Sequence, residues 1–184
     1  MAARGFTQVQ GFDFNEVFYP VVRHTSIRIL LAITAQLDLY LEQMDITTAF
    51  LHGDLKERIL MDQPKGFKVK GEVEKACLLR KSLYGLKQSP RQWYRKFDSV
   101  MLGQGYFRSS DDCCIYFKYI SSSISIYFML CVDEMLIASQ STQEIQLLMK
   151  KLRAEFEMKE LGEARKILGM EITRDKHHRK IYLS

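Results

Sequence analysis

Proline is scarce in this chain, with three among 184 residues, and tryptophan occurs once. Cysteine is nearly as thin. Cys77, Cys113, Cys114 and Cys131 form no C-x-x-C pair, and His24, His52, His177 and His178 are scattered among them, so no zinc spacing emerges. The four thiols read as reduced cysteines of an intracellular protein. Long hydrophobic runs are missing as well. The most apolar stretch, residues 123–138, is broken by Asp133 and Glu134 and falls short of the ~20 residues that a membrane-crossing helix needs. Residues 1–10 are polar, with no apolar segment of the kind a secretory signal requires, so neither a signal peptide nor a membrane partner is expected. No internal repeat is visible, and the only low-complexity feature is the turn Ser121-Ser122-Ser123. Nor does one sign of charge dominate. Lys plus Arg is 27 against 22 Asp plus Glu, a net +5, which suits a polyanionic partner and ordinary solubility equally.

What is present is apolar substance. Hydrophobic residues make up 47% of the chain, enough to offset chain entropy and exclude disorder. The length fits one domain, residues 1–184, and a chain near this size buries roughly 68–70% of its unfolded surface. Three segments read as helices. Thr25 is placed to cap one, with Ile27, Leu30, Leu31, Thr34 and Leu37 on one face. Ser89-Pro90-Arg91-Gln92 reads as a capping box with proline at the first helical position, and Trp93, Phe97, Val100 and Met101 follow at helical spacing. Ser141 and Glu144 make a second box ahead of Ile145, Leu148, Met149, Leu152 and Phe156. Strand-like runs cover residues 39–46, 58–61, 77–80 and 114–120. Residues 124–137 read as a hairpin with Asp133 and Glu134 at its tip, and residues 168–173 and 180–183 as a closing pair. Strands mixed with helices, without strict βαβ alternation, predict an α+β fold. The expected form is a split β-α-β antiparallel sheet with helices on one face.

Three places carry candidate chemistry. The pair Asp133-Glu134 lies inside an apolar hairpin, where unpaired carboxylates need water, a cation or a basic partner; a solvent-facing polar turn is the plainer reading. Asp45 closes a strand, and an ordinary helix N-cap is its plainer reading. Together, on neighbouring strands, they would form an all-oxygen site. Mg²⁺ prefers such a site, held through one or two carboxylates plus substrate phosphates. Two such ions about 3.5–4 Å apart would serve phosphoryl or nucleotidyl transfer, or a nuclease. The third place is residues 82–93, a glycine-bearing turn feeding a helix N-terminus among Lys81, Lys87 and Arg91. It suits a phosphate or a nucleic-acid backbone, and it also reads as a capped helix with a solvated basic edge. Tyr84 and Trp93 could stack on bases, although the spacing of Trp93 to Phe97 is that of a core residue.

These segments strongly resemble the reverse transcriptase of copia-type LTR retrotransposons. The match lies in residues 43–55, Met61-Asp62-Gln63-Pro64-Lys65-Gly66-Phe67, Ser82 to Trp93, the Val132-Asp133 hairpin, Leu161-Gly162-Glu163-Ala164 and Leu168-Gly169-Met170-Glu171-Ile172. The motifs stand in family order from about Arg4 onward. The resemblance implies a right-hand polymerase palm with partial fingers and most of the thumb absent. It implies Asp45, Asp133 and Glu134 as catalytic carboxylates, and these with the Ile46 carbonyl as ligands of two Mg²⁺ or Mn²⁺ ions. Phe50 would screen the sugar 2′ position of the incoming nucleotide, with Tyr84, Gly85 and Gln88 beside it. Lys87, Ser89, Pro90, Arg91 and Cys131 would line the nucleic acid, and Gly169 and Met170 would belong to a hairpin gripping the primer. The implied partners are an RNA or DNA template with its primer, a deoxynucleoside triphosphate, and other regions of a polyprotein, inside the cell.

Three departures accompany the resemblance. Cys131-Val132-Asp133-Glu134 stands where the family has Tyr-Val-Asp-Asp. Glu134 adds one methylene, and misplacement by ~1 Å can cost about 100-fold in rate. Cys131 removes an aromatic ring, and the upstream basic fingers strand is expected to be missing before Arg4. The sequence therefore leaves two readings, an impaired polymerase and a folded, inactive remnant that binds nucleic acid.

Overall fold

The computed structural model describes residues 2–71 and 74–184; Met1 of the polar N-terminal run lies outside them. The chain divides into two compact units, Met1–Tyr19 with Ala49–Phe97, and Pro20–Thr48 with Asp98–Ser184.

The first unit is loop-rich. Short 3-10 turns at Gly5–Thr7 and Ala49–His52 flank it in sequence, and β2 (Leu60–Met61) pairs with β3 (Cys77–Leu78) as a two-stranded ribbon. Its ordered helical part is the start of α2 (Ser89–Gly103). Ser89 does not form the expected capping box. Its hydroxyl donates to the Leu83 carbonyl at 2.7 Å, and helical bonding begins from the Gln88 carbonyl to the Gln92 N–H.

The second unit is built on a six-stranded antiparallel sheet. Its strands are β1 (Tyr40–Ile46), β4 (Phe107–Arg108), β5 (Ile115–Tyr119), β6 (Ser125–Cys131), β7 (Glu134–Ser139) and β8 (Met158–Glu163), in the order β4-β5-β6-β7-β1-β8. A smaller sheet joins β9 (Lys166–Ile167), β10 (Met170–Asp175) and β11 (Lys180–Leu183). Alternation along β1 and β7 sorts the side chains. Leu41, Gln43 and Asp45 stand opposite Ala138, Leu136 and Glu134, while Met44 stands opposite Met135 and turns to the other face.

Both faces are covered. α1 (His24–Gln36) packs Ile27, Leu30 and Leu31 against Leu41, Leu136 and Ala138, in one cluster with Ile167 and Ile172. α3 (Thr142–Glu155) lies along β7 and buries Ile145, Leu148, Met149 and Leu152, each worth roughly 1.5–3 kcal/mol in transfer free energy. Met135 and Ile137 are fully buried on the face turned away from the α1 cluster. The α+β class is as expected, whereas the expectation of helices on one face is corrected. The central strands β6 and β7 are apolar in both phases, so each face needs a cover.

The helix starts differ in origin. Ser141 caps α3 as expected, accepting the Glu144 N–H at 3.3 Å. Thr25 does not cap α1; the N-cap is Arg23, whose side chain makes no cap bond. Asp112, 86 residues beyond Ser26, does that work, accepting the Arg23 N–H at 3.0 Å and the Ser26 hydroxyl at 2.5 Å. Among the described residues no helix is long and apolar enough to cross a membrane.

Candidate active site

The carboxylates gather at one end of the central strands. β6 and β7 are joined by a two-residue turn, Val132-Asp133, with Cys131 paired to Glu134. Glu134 is therefore the first residue of β7 and only Asp133 occupies the tip. Val132 has φ +60°, a left-handed conformation that a β-branched side chain rarely adopts and that costs about 1–3 kcal/mol. The turn is held nonetheless, because the Ile46 N–H donates to the Asp133 carbonyl at 3.0 Å. That bond fixes the hairpin tip against the end of β1, one residue past Asp45.

Asp45 is half-buried and stands in register between Glu134 on β7 and Lys159 on β8. Burial raises its pKa above the usual carboxylate value, the Asp133 carboxylate raises it further, and Lys159 pulls it back. Two carboxylates that repel each other at the mouth of an apolar sheet gain from a cation between them. The donor set fits a hard ion that takes one or two carboxylates and completes its shell with phosphate oxygens. It is not a self-contained cage; among the described residues no group of three His, Cys, Asp or Glu side chains is arranged to hold a metal ion.

Glu134 makes a separate connection. Its Oε2 accepts the backbone N–H of Leu168 at 3.2 Å. Leu168 and Gly169 form the turn between β9 and β10, both with positive φ, and Met170 opens β10. Cys131 is 2% exposed and packs in the cluster with Cys114, Met129 and Leu136. Burial pushes its thiol up to about 12, with Glu134 and Asp133 adding to the shift, so it stays protonated. Ile46 is likewise buried.

The glycine turn belongs to the first unit. Gly85 has φ +91°, and a Cβ there would come within 2.1 Å of the Ala3 carbonyl oxygen. Ala3 in turn donates its N–H to the Tyr84 carbonyl at 2.7 Å, so the N-terminal segment lies directly on the turn. Gln8 extends the same contact, its Oε1 accepting the Lys87 N–H and its Nε2 donating to Gln88 Oε1. Gln88 and Ser89 are fully buried, and Gln88 also donates to the Asp13 carbonyl. Arg91 is bound internally, to the Phe18 carbonyl at 3.0 Å and to the Glu16 carboxylate. Pro90 is half-buried at the first turn of α2. Phe50 and Tyr84 meet, with ring centroids 4.8 Å apart.

The structure thus brings Asp45, Ile46, Asp133 and Glu134 together in one unit, and Phe50, Tyr84, Gly85, Lys87, Gln88 and Arg91 into the other. Cys131, Gln88 and Ser89 offer almost no surface. Two contributors escape a sequence reading. Lys159 lies on a strand whose residues, Met158 to Glu163, carry no apolar alternation, and Gln8 reaches residues about 80 positions away.

Comparison with known proteins bears on the chain as a whole. A family model described as reverse transcriptase (RNA-dependent DNA polymerase) matches residues 1–184. The chain is 51% identical over 184 residues to the retrovirus-related Pol polyprotein from transposon TNT 1-94 of Nicotiana tabacum, covering all of this chain and 14% of that protein. It is 36% identical over 174 residues to the corresponding polyprotein from transposon RE2 of Arabidopsis thaliana, covering 95% of this chain and 12% of that protein. A putative transposon Ty5-1 protein of Saccharomyces cerevisiae is 32% identical over 129 residues, 70% of this chain and 42% of that protein. The chain therefore spans a small part of the polyproteins it matches.

Proposed function

The chain belongs to the reverse transcriptase family, of the copia-type retrotransposon kind, and on that premise we propose that it extends a primer 3′-hydroxyl by nucleotidyl transfer from a deoxynucleoside triphosphate on an RNA or DNA template. The observation that carries this reading is that the Ile46 N–H ties the Asp133 hairpin tip to the end of β1, where the Asp133 carboxylate raises the pKa of Asp45. Asp45 and Asp133 are the residues that would hold Mg²⁺ or Mn²⁺, and the Ile46 carbonyl is a third ligand by family likeness. Bound divalent ions would supply activation of the attacking oxygen and neutralisation of the leaving phosphates.

The chain's own part is positional. The Ile46 to Asp133 backbone bond holds the two strand ends at a set distance, and the half-buried setting keeps Asp45 short of water. Lys159, paired with Asp45, limits the repulsion between the carboxylates before substrate arrives. In the other unit, the Phe50 and Tyr84 rings form an aromatic pair suited to the sugar and base of an incoming nucleotide, and the Gly85 to Arg91 segment is suited to the nucleic-acid strand. The polymerase palm and fingers are the architecture that this assignment of the two units implies, and the site of action is intracellular.

Primer extension with labelled primer, RNA template and Mg²⁺ or Mn²⁺ tests the reading. Extension is expected, and Asp45→Asn or Asp133→Asn should lower it by about 100-fold or more, because several kcal/mol of transition-state stabilisation depend on the held cation. Extension that survives Asp45→Asn overturns the site assignment. Absence of extension with retained primer–template binding supports the alternative, a folded nucleic-acid-binding remnant. Degradation of the labelled strand without incorporation points to a nuclease.

A further inference from the structure

Resting on that reading, we infer that Glu134 is a positioning residue: its carboxylate clamps the Leu168-Gly169 turn of the β9–β10 hairpin to the base of the Val132-Asp133 hairpin. Three observations support this. Glu134 Oε2 accepts the Leu168 N–H at 3.2 Å, across 34 residues of sequence. The neighbouring Asp133 is held separately, its backbone carbonyl accepting the Ile46 N–H at 3.0 Å. Glu134 belongs to β7 proper, in register with Cys131 and with Asp45, so its side chain rises from the same sheet face as Asp45, the face that also carries Ile167 and Ile172 in the β9–β10 hairpin.

The length of the side chain matters. A glutamate reaches one methylene, ~1.5 Å, farther than an aspartate, and here that reach is what spans from β7 to the hairpin. The turn it meets is a tight one, with φ +49° at Leu168 and +83° at Gly169. The β9–β10 ladder is only two residue pairs long, Met170 with Ile167 and Glu171 with Lys166. β11 and the buried Ile167 and Ile172 hold the base of this hairpin, and the charge-assisted bond from Glu134 restrains its turn. Glu134 would then act on the reaction through Gly169 and Met170, by fixing where they meet the primer strand.

Three substitutions separate this role from metal ligation, read by amide hydrogen exchange at Leu168, by Mn²⁺ binding monitored by electron paramagnetic resonance, and by primer–template KM. Glu134→Gln keeps both the length and an acceptor oxygen. It should hold Leu168 protection within about threefold, leave Mn²⁺ affinity unchanged and leave the primer–template KM near its starting value. Glu134→Ala and Glu134→Asp should each lower Leu168 protection by about tenfold, the equivalent of a lost bond of ~1.4 kcal/mol, and raise KM for primer–template more than they lower kcat. Mn²⁺ affinity that falls in Glu134→Gln, or extension that improves in Glu134→Asp, overturns the proposal. Hydrogen exchange reads the clamp even in a chain that does not polymerise, so failure of the clamp and failure of the polymerase reading give different results. Unchanged Leu168 protection in Glu134→Ala sinks the clamp alone.

Discussion

Asp112 should be among the costliest polar residues to remove from the second unit. It is 6% exposed and accepts three hydrogen bonds, from the Arg23 N–H at 3.0 Å, the Ser26 hydroxyl at 2.5 Å and the Cys114 N–H at 2.9 Å. Bonds to a charged acceptor are worth about 1.5–3 kcal/mol each, and a lost helix cap costs ~1 kcal/mol. The three share one carboxylate, so their losses do not simply add. Asp112→Ala also leaves the Arg23 and Cys114 amides without their acceptor in a largely buried place. A loss of about 3–4 kcal/mol is expected, and about 1–2 kcal/mol for Asp112→Asn, which keeps one acceptor oxygen. Urea unfolding, followed by circular dichroism, measures both.

The pH dependence is a second reading of the same group. Burial pushes the Asp112 carboxyl up, but the bonds from Arg23, Ser26 and Cys114 outweigh it and hold the carboxyl below the ordinary value near 4. A folded-state pKa below the unfolded one adds stability that is present above the unfolded value and is lost as pH falls through the folded one. Wild-type stability should therefore drop on acidification below about pH 4, and Asp112→Asn should lack that part of the drop. A loss under about 1 kcal/mol in Asp112→Ala, or an unchanged acid profile in Asp112→Asn, refutes the reasoning.

Two further outcomes follow from backbone geometry. Val132→Gly should relieve the left-handed strain at the hairpin tip, and after the entropy that glycine adds to the unfolded chain the net gain should be about 1 kcal/mol; a lower urea midpoint would contradict this. Gly85→Ala should cost about 2 kcal/mol or more, since a Cβ there meets the Ala3 carbonyl oxygen at 2.1 Å as well as an unfavourable φ; unaltered amide protection at Ala3 and Lys87 would show that the contact does not hold the turn.

How much of this was legible in the sequence depends on where each determinant lies along the chain. The Ser141 cap and the apolar stripe of α3 sit within a few residues of each other, so spacing alone reveals them. The cap of α1 comes from Asp112, 86 residues beyond Ser26, and no local pattern distinguishes that from the nearer Thr25. β8 was unreadable for a related reason. It is the polar edge of the sheet, MKELGE, and its place is set by pairing with β1 rather than by burial of its own side chains. The hairpin was legible because its two arms are apolar, but its turn was misplaced by one residue, since an acidic pair reads as a tip whichever of the two occupies it.

That one-residue shift carries the main consequence for the site. With Val132-Asp133 as the turn, Asp133 stands at the tip, while Glu134 is the first residue of β7, directly opposite Asp45 on the α1 face of the sheet. Adjacent acids in sequence are thereby given different settings, one on a turn and one on a strand. A sequence motif can show that two carboxylates are present and near a strand end. It cannot show which of them stands on the turn and which on the strand, because that depends on the turn, and a two-residue turn demands the left-handed backbone that Val132 adopts. The strain at Val132 thus accompanies the tight turn, and the bond from the Ile46 N–H to the Asp133 carbonyl brings that turn to the end of β1, beside Asp45.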